Sequence, residues 1–255
     1  MSKINRILGE WQPGDVHTLK WFASRGVQQR TAYGYSETGA LKKIGAGVFA
    51  RPLDKLSWLG AVRALQKELK ISIHVGAKTA LELHGSAHNL QASTEPQIDL
   101  ILAPKTGIPT WVKNNDWDAH FLFRRSNLIS AKQDLVQTTS HGISIAIASR
   151  EQAILELLDT LELSNGFETA ENYLSGLLNL RPKAMQALLE KCTSVKVKRV
   201  FLFLAESMEL PIFKKLDLTR IDLGKGKRVL VKGGDFNSKY QITVPKKDRE
   251  GKSVF

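Results

Sequence analysis

The stretch that decides the fold is VHTLKWFASRGVQQRTAYGYSETGALKKIGAGVFAR, residues 16–51. Thr18 can cap a helix in which Leu19 and Phe22 recur at the spacing of one buried face. Gly26 then breaks this helix, because a tight turn between two helices needs a residue that accepts the left-handed conformation. A second helix is predicted over residues 28–38. The stretch therefore begins as a helix-turn-helix.

Two short extended runs, Leu41–Ile44 and Val48–Arg51, follow the second helix and are joined by Gly45-Ala46-Gly47. A basic hairpin directly after a helix-turn-helix is typical of the winged form of the motif, whose second helix enters the major groove of DNA. The alternative is an ordinary helical hairpin followed by a β-turn. Residues 1–51 hold eight Lys/Arg against three acids, and this excess favours the DNA-binding interpretation.

The side chains predicted to contact DNA lie on the two helices and the hairpin. Gln28, Gln29 and Arg30 can hydrogen-bond base edges, and basic residues of the hairpin can bind phosphates. The full set is Thr18, Lys20, Gln28, Gln29, Arg30, Tyr33, Lys42, Lys43 and Arg51. We expect residues 1–70 to bind DNA without the rest of the chain.

The charge of the chain is large and uneven. The 255 residues carry a formal net charge of +12, and residues 191–255 alone hold sixteen Lys/Arg against seven Asp/Glu. Two basic ends therefore flank a near-neutral middle, which favours a polyanionic partner, nucleic acid first. In the C-terminal part we predict a basic face for an anionic partner, with a solvated surface as the alternative. Its members are Lys196, Lys198, Arg199, Lys225, Lys227, Arg228 and Lys232.

Composition also bounds the cellular setting. Cys192 is the only cysteine, so an intrachain disulfide is excluded and a reducing cytoplasm is favoured. The N-terminal segment predicts a short amphipathic helix rather than a signal peptide, since Asn5 and Arg6 interrupt its apolar run. The longest apolar stretches are too short to span a bilayer, so no membrane partner is expected.

After residue 70 the pattern changes to strands interleaved with helices, which predicts an α+β (mixed α/β) fold. We therefore expect a winged helix-turn-helix domain over residues 1–70 and a larger α/β domain over residues 71–255. Ser149 is predicted to cap a helix, and a hairpin is predicted to pair Arg228–Lys232 with Tyr240–Val244. Predicted strands are Ile71–Val75, Ile98–Ala103, Phe121–Phe123 and Ile143–Ala148, and the later helices are Glu168–Leu178, Pro182–Cys192 and Val195–Met208.

Several residue combinations that could carry catalysis or hold a metal are incomplete. His84 and His88 have a metal-ligand spacing, but Gly85 between them breaks the helix that would align them. The Gly85-Ser86 pair with Asp99 is similar to a nucleotidyltransferase site, yet Ile101 stands where that chemistry needs a second carboxylate. Glu82, Asp99 and Lys105 could be arranged as a metal nuclease, but this residue pattern matches many sequences by chance. We therefore predict no enzyme activity, no metal site and no cofactor.

Longer blocks of sequence resemble the AbiEi antitoxins of bacterial abortive-infection toxin–antitoxin systems. The similarity extends over nearly the whole chain, in the order expected for that family. It rests on the run from Lys3 to Trp11, on Tyr35, Gly39, Leu41, Ile44, Gly45 and Gly47, on the Trp58-Leu-Gly-Ala block, and on His74–His88, Ser149–Leu158, Ser194–Glu206, Leu216–Gly234 and Lys239–Pro245.

This resemblance implies a protein with two tasks. A winged-helix domain represses its own operon by binding inverted repeats in promoter DNA, where we also expect cooperative self-association. A C-terminal α/β antitoxin domain counteracts a cognate toxin that is a nucleotidyltransferase, and family members are not enzymes. One alternative is a stand-alone transcriptional regulator of a mobile element. A metal-dependent nucleic-acid enzyme is the third interpretation.

Overall fold

The computed structural model describes residues 2–85, 96–129, 133–247 and 253–254. Its helices are α1 Lys3–Gly9, α2 Leu19–Ser24, α3 Gln29–Glu37, α4 Trp58–Arg63, α5 Ala77–Leu83, α6 Thr110–Lys113, α7 Arg150–Thr160, α8 Leu163–Ser175, α9 Pro182–Lys191 and α10 Val195–Ser207. Its strands are β1 Val16–Thr18, β2 Lys42–Gly45, β3 Val48–Ala50, β4 Ile73–Val75, β5 Gln97–Leu102, β6 His120–Arg125, β7 Leu135–Ser140, β8 Ile143–Ala148, β9 Asp235–Asn237, β10 Ile242–Val244, β11 Lys246–Lys247 and β12 Ser253–Val254.

The chain forms two compact units that alternate along the sequence. The first unit comprises Met1–Val75, Ala92–Arg125 and Val136–Ile147, and the second comprises Gly76–Gln91, Ser126–Leu135 and Ala148–Phe255. Each structural unit is thus built from three separate stretches of sequence, whereas the predicted functional boundary is a single division of the chain after residue 70. That boundary stays a prediction about function. The α+β fold class predicted from the sequence is confirmed.

The first unit begins with a complete winged helix-turn-helix. Its elements follow the order α1, β1, α2, α3, β2, β3, and the three strands form an antiparallel sheet in the order β1-β3-β2. Val16 lies opposite Ala50, and Lys43 lies opposite Phe49. The apolar core of this domain consists of Ile7, Trp11, Trp21, Phe22, Val27, Ala32, Leu41 and Phe49.

Strand β1 is missing from the sequence-based prediction, and the role predicted for Thr18 changes with it. The strand is short, and all three of its residues are buried, so it lacks the alternation that would reveal it. Thr18 does occupy the N-cap position of α2 in extended conformation, but its side chain makes no capping hydrogen bond. The predicted cap is therefore right in position and wrong in its hydrogen bond.

The rest of the first unit is a five-stranded mixed sheet in the order β6-β5-β4-β8-β7. Strand β5 runs antiparallel to β4 and parallel to β6. Helix α4 follows the wing, and it continues as a π-helical turn over Ala64–Glu68. Helix α6 and strand β7 were not predicted. Exposed and half-buried positions alternate along β7 without a strongly apolar face.

The second unit is built mainly from α5, α7, α8, α9 and α10. The Ser149 cap is confirmed, because its hydroxyl oxygen accepts the Gln152 N–H at 3.2 Å. Helix α8 begins five residues before the predicted start at Glu168. No helix in the described part of the chain combines the length and apolar character needed to cross a membrane.

The hairpin predicted near the C-terminus is wrong in its first strand. Strand β10 pairs antiparallel with β9, not with Arg228–Lys232. The N–H groups of Leu230 and Val231 donate to the Thr243 hydroxyl at 2.8 and 3.1 Å, so this backbone is held by a side chain rather than by a ladder. Arg228 makes only an isolated parallel bridge to Ile242. Residues 224–232 therefore form a loop, which we call the basic loop.

Candidate nucleic-acid interface

The turn between α2 and α3 has the geometry predicted for a helix-turn-helix. Gly26 adopts a φ of +67°, the left-handed conformation in which glycine avoids the strain of a Cβ atom. The Val27 N–H donates to the Phe22 carbonyl at 2.9 Å, and the Val27 side chain is buried. The ring of Phe49 lies 5.4 Å from Phe22 and 5.5 Å from Tyr33, centroid to centroid. The packing therefore fixes α3 against the small sheet.

The first turn of α3 presents polar side chains to solvent. Gln28 is the N-cap residue, and Gln28, Gln29, Arg30 and Thr31 are all exposed, while Ala32 faces the core. Amide and guanidinium groups at the start of a recognition helix are suited to base edges in the major groove. The predicted base-reading residues thus share one accessible helix end.

The wing carries two exposed lysines on β2. Lys42 and Lys43 face solvent, while Ile44 between the lysines and the tip is buried. The Lys43 ammonium lies 5.1 Å from the centre of the Tyr33 ring, within the range of a cation–π contact. Tyr33 is half-buried and therefore connects α3 to the wing. Lys20, at the start of α2, is also exposed.

Two residues of the predicted DNA-contacting set are used inside the protein. Thr18 is buried, and its backbone N–H donates to Glu68 Oε2 at 2.7 Å. Arg51 is half-buried: its Nη1 donates to the Trp11 carbonyl at 3.2 Å, and its Nε lies 3.5 Å from Asp54 Oδ1. The burial of Thr18 contradicts its prediction as a DNA contact, whereas Arg51 is engaged within the protein and its contact with DNA stays a prediction.

A buried cluster of charges beneath β1 was not anticipated from the sequence. Arg63 Nε lies 2.8 Å from Asp15 Oδ1, and its Nη1 lies 2.7 Å from Glu68 Oε1. His17 Nδ1 donates to the same Glu68 oxygen at 2.6 Å, and the His17 ring stacks on Trp21 at 3.7 Å. These contacts join β1 to α4 and the π-helical turn. Asp15 lies 48 positions from Arg63 and His17 lies 51 positions from Glu68, so sequence spacing gives no signal.

Burial and pairing shift the acid–base properties of this cluster in different directions. Burial lowers the pKa of His17 below its ordinary value of 6.5, which favours the neutral imidazole. Burial raises the pKa of Asp15. For Glu68, burial acts in the opposite direction to the His17 hydrogen bond and the Arg63 charge, and the pKa is lowered.

The basic face predicted for the C-terminal part is only partly a surface. Lys198 is 4% exposed and Arg199 is 2% exposed, so both are corrected from exposed to interior positions. Arg199 Nε donates to the Leu223 carbonyl at 2.8 Å, and its Nη1 and Nη2 donate to the Gly226 and Gly224 carbonyls at 2.7 and 3.2 Å. Nη1 also lies 3.3 Å from the Gln241 carbonyl oxygen. The start of the basic loop therefore packs around the Arg199 guanidinium.

The remaining residues of that face lie mostly on the basic loop. Lys225, Lys227, Arg228 and Lys232 are exposed, and the Lys227 ammonium lies 4.8 Å from the centre of the Phe236 ring. Lys196 is half-buried, and its ammonium donates to the Asp159 carbonyl at 3.4 Å.

Asp99 and His84, which were considered for catalysis or metal binding, have structural partners. Asp99 is buried, with Oδ1 2.8 Å from Arg124 Nε, and His84 Nε2 lies 2.8 Å from the Ala148 carbonyl oxygen. Ser86 and His88 lie outside the described residues. Among the residues that are described, no group of three or more His, Cys, Asp or Glu side chains is placed to hold a metal ion.

The helix-turn-helix and its wing define a winged-helix domain. Comparison with known families adds the class of transcriptional regulator and a narrower identity. A family model described as "Transcriptional regulator, AbiEi antitoxin, Type IV TA system" matches residues 95–245. The AbiEi antitoxin N-terminal domain, also described as a transcriptional regulator, matches residues 1–92. The chain belongs to the AbiEi antitoxin family, as the resemblance of its sequence blocks predicted.

A solved structure shares the fold at low sequence identity. The crystal structure of the RV2827C protein from Mycobacterium tuberculosis superposes with a TM-score of 0.55 at 11% identity, covering 90% of this chain and 86% of that chain. At this identity the similarity concerns the fold alone. No curated protein sequence matches the chain.

Proposed function

We propose that this AbiEi protein represses its own operon by binding inverted repeats in promoter DNA, and that it counteracts a nucleotidyltransferase toxin. The observation that carries the first half is the complete winged helix with Gln28, Gln29 and Arg30 exposed at one end of α3. Both tasks would take place in the cytoplasm. The winged helix is the part assigned to DNA, and the chain after residue 70 is the part assigned to the toxin.

DNA recognition in this proposal divides between two kinds of contact. The first turn of α3 enters the major groove, where Arg30 can form a bidentate pair with guanine and the glutamines can pair with adenine. Lys42 and Lys43 of β2 bind flanking phosphates, which add affinity without sequence information. Two copies on an inverted repeat would each read one half-site, and contacts between them would make binding cooperative.

The direct experiment measures binding of the full chain to a fluorescent fragment of its own promoter, with a shuffled fragment as the control. We expect a specific complex from which an excess of shuffled DNA displaces the promoter fragment poorly. We also expect repression of a reporter placed behind the promoter. Equal affinity for both fragments at several salt concentrations would contradict base-specific recognition.

For the antitoxin task we propose the basic loop as the contact with the toxin. Its exposed Lys225, Lys227, Arg228 and Lys232 suit an acidic protein surface, and a nucleotidyltransferase has an active site built of carboxylates. The same loop could instead bind flanking DNA and support cooperative occupation of the two repeats. Nothing in this task requires catalysis by the antitoxin itself, and we infer that the chain is not an enzyme.

Charge reversal separates these uses of the basic loop. Lys225→Glu with Lys227→Glu should abolish growth rescue when the neighbouring toxin gene is expressed, while leaving half-site DNA binding intact. The matched control, Lys214→Glu with Lys215→Glu, reverses two exposed charges elsewhere in the same unit. Rescue that survives with loss of cooperative DNA binding would assign the loop to DNA. If the folded variant keeps both activities, the loop is a solvated surface.

One alternative is a stand-alone regulator of a mobile element, because all the proposed DNA contacts lie within residues 1–70. In that case the second unit would serve self-association only. A neighbouring gene whose product is toxic, and whose toxicity this chain relieves, would decide against it.

A further inference from the structure

The tip of the wing is held by a segment far away in the sequence but within the same compact unit. A Cβ atom built on Gly45 would lie 2.4 Å from the Cβ atom of Trp111, so only glycine permits this approach. Asn115 Nδ2 donates to the Ile44 carbonyl at 2.8 Å and to the Trp111 carbonyl at 2.7 Å. The hairpin backbone therefore contacts α6 by packing and by a hydrogen bond from a side chain.

The segment that holds the wing is itself anchored. Trp111 is buried, and its ring meets the Trp117 ring edge to face at 5.9 Å. Trp117 Nε1 donates to the Val112 carbonyl at 2.9 Å. Asp118 accepts the N–H of Trp58 at 2.6 Å, at the start of α4. The segment is thus tied to the rest of the first unit by buried ring packing and by an exposed hydrogen bond to α4.

We propose that Trp111 and Asn115 act as a wing clasp that positions Lys42 and Lys43 for phosphate binding. This inference rests on the proposed DNA binding. Strand β2 lies at the edge of the three-stranded sheet, and glycines at the wing tip add conformational freedom that must be lost when DNA binds. A clasp that fixes the hairpin beforehand removes part of that cost. Lys43 is also held near Tyr33, so a fixed wing keeps the lysines in register with α3.

The wing clasp separates the residues that contact DNA from the residues that hold the wing in place. All the proposed DNA contacts lie within residues 1–70, but the residues that hold the wing lie at positions 111 and 115. A fragment of residues 1–70 would contain the lysines without their support. Asn115 is therefore a positioning residue, because it acts through the wing and touches no DNA.

The test compares Asn115→Ala with Asn114→Ala in the full chain. Asn114 is the exposed neighbour, so its loss controls for removing an amide from the same segment. We measure promoter affinity over a range of salt concentrations. We expect the salt slope of Asn115→Ala to fall by about one to two units, as for loss of one or two phosphate contacts, while Asn114→Ala keeps the slope of the unaltered chain.

A double-mutant cycle distinguishes positioning from a general loss of stability. Lys43→Ala should weaken binding strongly in the unaltered chain and much less in the Asn115→Ala background, since the lysine is already misplaced there. Gly45→Ala, which pushes the wing away from Trp111, provides a second route should Asn115→Ala fail to fold. Gly107→Ala is its control, because no atom lies within 4 Å of the added Cβ.

The outcomes separate the clasp from the function on which it rests. If the unaltered chain binds its promoter and both Asn115→Ala and Gly45→Ala keep its salt slope, the clasp is wrong and the proposed function stands. An equal cost of Lys43→Ala in both backgrounds would also overturn the clasp. If the unaltered chain shows no specific binding, the proposed function fails, and the clasp fails with it.

Discussion

The two basic regions of this chain place their positive charges in different environments. In the winged helix, Arg30, Lys42 and Lys43 are exposed on the first turn of α3 and on β2. In the second unit, Lys198 and Arg199 are buried, and Arg199 is surrounded by backbone carbonyls. A count of charges therefore overstates the binding surface in the C-terminal region. One of its arginines organises the loop that presents the remaining charges.

The largest expected effect tests the interior role of Arg199. Arg199→Met would leave the carbonyls of Leu223, Gly224 and Gly226 without their donor, at about 1–3 kcal/mol for each acceptor that stays buried. We expect a clear fall in the urea midpoint of unfolding. Arg228→Met removes an exposed arginine from the same loop and should change the midpoint little. Equal effects of the two substitutions would mean that Arg199 has no special structural role.

Arg199 also shows where prediction from the sequence ends. The helix predicted over Val195–Met208 is present as α10, with Val197, Val200 and Phe201 buried. The burial of Arg199 is accompanied by hydrogen bonds to the carbonyls of residues 223, 224, 226 and 241. No local sequence pattern predicts the burial of an arginine whose partners are backbone carbonyls of a distant loop.

The winged helix was more predictable because its signals are local. Gly26, the apolar spacing of α2 and the two glycines of the wing each act within a few residues. What escaped prediction were contacts at long range, such as Arg63 with Asp15 and Asn115 with the wing. The same limit applies to Arg51, whose charge predicted a phosphate contact but whose partner is the Trp11 carbonyl.

The next effect in size concerns base recognition by the exposed helix end. Arg30→Ala should weaken binding to the cognate promoter by about 1–3 kcal/mol and leave binding to shuffled DNA nearly unchanged, because a bidentate base contact is sequence-specific. Arg6→Ala removes an exposed arginine from α1 and serves as the control. Fluorescence anisotropy with both DNA fragments measures the difference. A loss of equal size on shuffled DNA would reassign Arg30 to the phosphates.

The wing lysines should behave in the opposite way. Lys42→Ala with Lys43→Ala should weaken binding to all DNA about equally and lower the salt slope by roughly one to two units, since phosphates are common to every sequence. The control is Lys67→Ala, at an exposed lysine of the π-helical turn. A selective loss on the cognate promoter would show that the wing reads bases.

A more gradual effect comes from the charges buried beneath β1. Because the pKa of His17 is lowered in the folded state, the unfolded chain binds protons more readily as pH falls below 6.5. The free energy of unfolding should therefore decline as the pH falls below 6.5. The lowered pKa of Glu68 extends this decline to more acidic pH. The raised pKa of Asp15 opposes the decline. Urea unfolding at a series of pH values measures this slope. His17→Gln should flatten its upper part, and an unchanged slope would exclude His17 as the cause.

The smallest expected effect is that of Arg51, which belongs to the basic winged helix but is engaged as an interior residue would be. Arg51→Ala removes a half-exposed ion pair with Asp54 and a hydrogen bond to Trp11, so stability should fall by only about 0.2–1 kcal/mol. Because the guanidinium is already held by the protein, the salt slope of DNA binding should equal that of the unaltered chain. Lys42→Ala, measured in parallel, should lower the slope and so shows that the assay can detect the loss of one phosphate contact. A fall in slope for Arg51→Ala equal to that of Lys42→Ala would mean that Arg51 leaves Asp54 when DNA binds. The winged helix would then offer Lys42, Lys43 and Arg51 to the phosphates. The contrast with the buried Arg199 would be sharper than the structure without DNA shows.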